Sequence, residues 1–210
     1  DITREILETM IASKVEHLFK IDNVKLARLV HIMTPWWTRT PNSSSSTLTK
    51  ECTSLSVLKD QLKWDDRLDG QDKDTPWTDR HGISILVYAV CVNELSVVDE
   101  ILTTYENQKV HLLSWAFPKE GVVEIGIPGL ATCLYGAMCF ASPEIVVALL
   151  DAGAGTKTTD IMGNDPLIAA CGIGRLDNAK TWFTKVKHWK VDRQNAKFGS
   201  TALHVAVYMG

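Results

Sequence analysis

Near its end the chain carries the string Gly199-Ser200-Thr201-Ala202-Leu203-His204-Val205-Ala206, and weaker copies of that string recur upstream. Recurrence of a short unit constrains a fold more than any single motif, because such a unit cannot bury its own apolar face and must stack on its neighbours. Gly163-Asn164-Asp165-Pro166-Leu167-Ile168-Ala169-Ala170 keeps the Gly, the Leu and the second Ala. Thr132-Cys133-Leu134-Tyr135-Gly136-Ala137 keeps the Thr, Leu and Ala. In Gly82-Ile83-Ser84-Ile85-Leu86-Val87-Tyr88-Ala89 the Gly, Leu and Ala survive, with Ser84 standing for the Thr. Counted at the leucine, the copies fall at Leu86, Leu134, Leu167 and Leu203, at intervals of 48, 33 and 36 residues.

The residue types explain why the pattern works. The Gly ends a tight turn where positive φ is cheap, the Thr or Ser opens a short helix as its cap, and the Leu and Ala let that helix pack closely on the next. A second helix is expected after each. Pro143 to Ala154, Pro-Glu-Ile-Val-Val-Ala-Leu-Leu-Asp-Ala-Gly-Ala, has Pro in its first turn and Gly past its end. Leu95 to Leu102 and Leu176 to Phe183 occupy the same slot in their own copies.

The frame Gly-x-Thr-Pro-Leu-His-x-Ala resembles the signature of the ankyrin-repeat family, with Pro166 in the proline's place and Ala202 replacing it in the last copy. The resemblance covers about residues 79–210, and the family period is about 33 residues. It implies an all-α solenoid of stacked helix-turn-helix units joined by β-hairpin finger loops. Residues 75–210 would hold three repeats and a truncated fourth, preceded by a small helical segment over 1–74. The chain stops at Gly210, directly after the fourth inner helix, and starts at Asp1, so a piece of a longer protein is expected. Between the first two copies about 15 residues exceed the period. There Lys109 to Phe117 and Val122 to Ile127 flank Pro118-Lys119-Glu120-Gly121, which predicts an enlarged β-hairpin finger packed by Trp115 and Phe117.

Residues 1–74 show none of the repeat. Ile2 to Lys20 places Ile6, Leu7, Met10, Ile11, Val15, Leu18 and Phe19 at the spacing of one helical face. Asp22-Asn23 offers a cap for a second helix ended by Pro35, residues 38–49 read as a polar loop, and Ser54 to Trp64 as a third helix. Asp65 to Asp74 reads as a solvated acidic linker, since its carboxylates and Gly do not fit the calcium-loop spacing.

Composition excludes several classes. Net charge is −3, which gives no bulk reason to expect nucleic acid or an anionic membrane as partner. The cluster Lys185, Lys187, His188, Lys190, Arg193 and Lys197 reads as the solvated end of a helix and its loop. Five cysteines without a Cys-x-x-Cys pair indicate neither a disulfide framework nor a zinc site, and a reducing compartment, cytoplasmic or nuclear, follows. Ile125 to Pro143 runs 19 residues without a charge, but its Pro and Gly residues and its place in the repeat frame argue against a membrane span. No nucleophile-base arrangement, phosphate loop or metal-binding motif is present, so neither catalysis nor a metal or other cofactor is expected. Gly172 and Gly174 are explained as the turn between two helices, and His204 as a structural hydrogen-bonding residue. His81 and His111 fall on the expected fingers.

A protein-interaction module is what the resemblance implies. Its groove would be lined by finger tips and inner-helix ends, carried over as Arg80, His81, Ile83 and Val92 from the first copy and Cys139 and Phe140 from the second. The third copy supplies Ile161, Met162, Asn164 and Ile173, and the last supplies Lys197, Phe198, Tyr208 and Met209, with Trp115 on the enlarged finger. One column reads Val92, Phe140, Ile173 and Met209, an apolar strip suited to an amphipathic helix or an extended apolar segment of a protein or peptide partner. The alternative is the regulatory cytosolic part of a larger channel, enzyme or signalling protein, with the groove filled by its own N-terminal helices.

Overall fold

A computed structural model describes residues 52–62, 64, 78, 84–117 and 129–209. The expected helices over 2–20 and 24–32, the polar loop, the acidic linker and the second arm of the enlarged finger lie outside the described residues.

The described residues are mostly helical. After α1 (Leu55–Leu62) come two helices joined by a two-residue turn, α2 (Ile85–Val92) and α3 (Leu95–Thr104). A 3-10 turn (Glu106–Gln108) leads into α4 (Lys109–Ser114). Two further pairs follow, α5 (Cys133–Phe140) with α6 (Pro143–Asp151) and α7 (Pro166–Ile173) with α8 (Leu176–Lys185), and then α9 (Ala202–Met209). Helices of eight to ten residues are marginal alone, so packing must hold them. They form two rows: α2 packs on α5, α5 on α7 and α7 on α9, while α3 packs on α6 and α6 on α8.

The four helices of the first row start where the repeated frame says they should, each on a side-chain cap. Ser84 Oγ accepts from the Leu86 N–H at 3.3 Å, and Thr132 Oγ1 from Tyr135 at 3.4 Å. Asp165 Oδ1 accepts from Ile168 at 2.9 Å, and Thr201 Oγ1 from His204 at 3.3 Å. The cap is reciprocal: the Thr201 N–H donates to His204 Nδ1 at 3.3 Å, and that nitrogen also lies 2.8 Å from the Thr201 hydroxyl. α2, α5 and α7 are apolar all round, as a sandwiched row requires: every residue of α2 from Ile85 to Cys91 is buried.

One expectation is overturned. Lys109–Ser114 is a helix and not the strand of a hairpin, and no strand occurs among the described residues. Its apolar residues do not alternate: Leu112 and Leu113 are adjacent and both buried, while Val110 is exposed. One helical turn puts that pair on the side facing α5, whereas a strand would send them to opposite faces. Among the described residues, strand-like pairing amounts to two isolated antiparallel bridges, Thr78 with Ser84 and Ala116 with Thr132. His111 accordingly lies on α4 rather than on a finger loop.

Candidate functional site

On the face where α2, α5 and α7 line up, a partly enclosed apolar cleft opens, with a volume of about 80 Å³. Its walls are Val87, Val90 and Cys91 of α2, Tyr135, Cys139 and Phe140 of α5, and Ala169 and Ile173 of α7, with Phe117 and Ala131 at one end. Gly136 lies in its floor, and a Cβ added there would meet nothing within 4 Å. The missing side chain is therefore part of what leaves the cleft open.

Burial sets the chemistry of this space. Cys91, Cys133 and Cys139 all line it, and desolvation pushes each thiol up to about 12. Tyr135 is held protonated too, chiefly by burial, with the neighbouring Cys139 and Asp160 adding to the effect. Its hydroxyl donates to Asp160 Oδ2 at 2.9 Å. That carboxylate also accepts from the Met162 and Asn164 N–H groups, each at 2.8 Å, and from Asn164 Nδ2 at 2.9 Å. Tyr135 thus anchors the neighbouring turn to the cleft wall.

Three turns line up along one edge of the stack. The Ile161 N–H donates to Gly129 O at 2.8 Å, the Lys197 N–H to Met162 O at 3.2 Å, and Asn195 Nδ2 to Asn164 Oδ1 at 2.8 Å. Gly163 and Gly199 take positive φ in two of these turns. Gly163 is also pinned by closeness, since an added Cβ would lie 2.4 Å from Ala196 N.

Of the residues expected to bind a partner, Cys139, Phe140 and Ile173 meet in the cleft. Phe140 is buried and Ile173 is 46% exposed, so Ile173 is the one that reaches solvent. Val92 is half-buried against the core and does not line the cleft. Trp115 is buried, its ring edge-on to Phe117 at 4.9 Å, and it supports the cleft from behind. Ile161, Met162 and Asn164 sit on the middle turn, and Lys197 and Phe198 on the last, where Ile161 and Phe198 are exposed. Tyr208 projects from α9 into solvent. Arg80, His81 and Ile83 lie outside the described residues, as does the Met209 side chain.

Val87, Phe117 and Gly136 were missed. Val87 and Tyr135 share a slot, one residue past the repeated Leu, and both line the cleft, whereas Ile168 in the same slot of the third copy does not. The basic cluster is partly consumed within the fold. Lys185 pairs with Asp151 at 2.7 Å, and Arg193 lies 3.7 Å from Asp165 and over the Trp189 ring. Among the described residues no group of three could hold a metal ion, and no helix is long and apolar enough to cross a membrane. No family model matches the chain, and no curated protein matches it.

Proposed function

We propose that the chain is an ankyrin-type repeat protein that binds an apolar segment of a protein or peptide partner in the cleft between its inner helices. The observation that carries this reading is the convergence of Cys139, Phe140 and Ile173, from two repeats, on one apolar cleft. Support for the repeat assignment comes from the four side-chain caps at the frame positions and the two-row packing. The chain acts by binding, without turnover of its own. Thiols held protonated are poor nucleophiles, and the three at the cleft are pushed up to about 12.

Two variants test the reading without attacking the core. Gly136→Leu fills the cleft where nothing stands within 4 Å, and Ile173→Glu puts a charge at its half-exposed rim. A displayed library of helical and extended peptides is selected on the parent protein. Recovered peptides are expected to share apolar anchors, and to lose tenfold or more in affinity for both variants while the melting temperatures hold. Peptides that bind all three proteins equally would place recognition elsewhere.

A further inference from the structure

Charge is divided unevenly along this chain. Residues 84–151 carry eight carboxylates against two lysines and no arginine. Residues 23–50 carry Lys25, Arg28, Arg39 and Lys50 and no carboxylate. The basic stretch leads straight to the acidic half of the stack, because the chain enters the described structure on α3. Ser96 Oγ donates to Thr53 O at 3.4 Å, and the Leu55 N–H donates to Glu100 Oε2 at 2.6 Å.

On the outer row an open groove of about 320 Å³ lies between α3 and α6. Leu95, Pro143, Val147 and Ala148, all half-buried, supply its apolar surface, while Asp99 of α3 and Glu144 of α6 are exposed. Neither carboxylate has an ion-pair partner among the described residues. The groove shares no residue with the cleft of the inner row.

We propose that residues 24–32 of this chain dock in that groove as a basic amphipathic helix. The helix expected there puts Leu26, Leu29 and Val30 on one stripe, at i, i+3 and i+4, the anchor pattern of a helix laid in an apolar groove. Lys25 falls at the edge of that stripe, where its long side chain reaches a carboxylate at the groove's rim while the stem stays on apolar surface. Exposed ion pairs contribute little, so the apolar anchors hold the helix and the charges choose it. The neighbouring helix expected over 2–20 has three acidic and three basic side chains, and it lacks that match. Reach is ample. The 19 residues from 33 to 51 span up to about 60 Å, several helix diameters. The segment sits on the outer row, so it leaves the cleft open to a partner.

The test couples amines to carboxylates with a zero-length carbodiimide in the parent chain and maps the links by mass spectrometry. Lys25 is expected to join to Asp99 or Glu144. Leu26→Asp combined with Val30→Asp is expected to cut that yield about tenfold or more, because two apolar anchors are lost. The Lys185 to Asp151 link, internal to the stack, is expected to stay and reports that the fold is intact. In the parent, no link from Lys25 to either carboxylate, or one as strong to Asp177 on α8, overturns the proposal. A link that survives the double substitution overturns it too. With isotope-labelled and unlabelled chains mixed, the links are expected to lie within one chain. Mixed-mass links would assign the groove to the segment of a second copy and overturn it equally.

Discussion

Leu130 sits at φ 64, in the left-handed region that Gly163 and Gly199 fill at the equivalent position of the next two turns. A side chain there costs about 1–2 kcal/mol, and a glycine would return about half of that as chain entropy in the unfolded state. Leu130→Gly is therefore expected to stabilise the protein by about 0.5–1 kcal/mol in urea unfolding. A loss would mean that the leucine's packing outweighs its backbone strain. The neighbouring question is Asp165, which caps α7 from a buried site. Burial raises its carboxyl above the usual range, against the pull of the Ile168 N–H and Arg193. A raised carboxyl contributes stability below the ordinary carboxylate range and loses it as pH rises through the folded value, so at neutral pH its charge is a burden. Asp165→Asn keeps the accepting oxygen and is expected to melt no lower than the parent at pH 7, with any advantage shrinking in acid. Asp165→Ala drops the cap and should cost about 1 kcal/mol. An Asn variant less stable than the parent would show that Arg193 needs the charge. Ser84, Thr132 and Thr201 could be read as caps from the repeated frame. Leu130 could not, because nothing in a leucine announces positive φ.

At the scale of the element, the end of α5 shows how one repeat completes another. Ala141 follows α5 with extended backbone, so no left-handed residue closes the helix as Gly174 closes α7. Its last carbonyls are served from α8 and the residue before it. Asn178 Nδ2 reaches Ala137 O, Met138 O and Ala141 O at 3.0–3.2 Å, and Arg175 Nη2 donates to Ala141 O at 2.6 Å. Asn178→Ala takes the side-chain donor from Met138 O and leaves Ala137 O to the Ala141 N–H and Ala141 O to Arg175, and is expected to cost about 1–2 kcal/mol in urea unfolding. Asn178→Asp is expected to cost more, since it replaces the donor with an acceptor, and a neutral result for both would remove this clamp from the stability of the fold. The helix boundaries were legible because caps and apolar periodicity are local. The clamp was not, because it joins residues 34 to 41 positions apart. The same limit explains α4, where an apolar run near Pro118 reads as a strand until its contact with α5 is known.

On the scale of the whole molecule, the two-row stack means that layers are lost or kept as units, and that order at one end need not depend on order at the other. The five cysteines fall along that stack: Cys52 just before α1, Cys91 in α2, Cys133 and Cys139 in α5, and Cys171 in α7. Cys171 is half-buried, and the others are buried. Native-state alkylation followed by mass spectrometry is expected to label Cys171 first and to label Cys133 and Cys139 last and together. Early labelling of either α5 thiol would show that the middle of the stack opens without its neighbours. The buried thiols described at the cleft therefore serve as a clock: one increment of mass dates the opening at α2 and a double increment that at α5, and the chain keeps the log of its own dismantling.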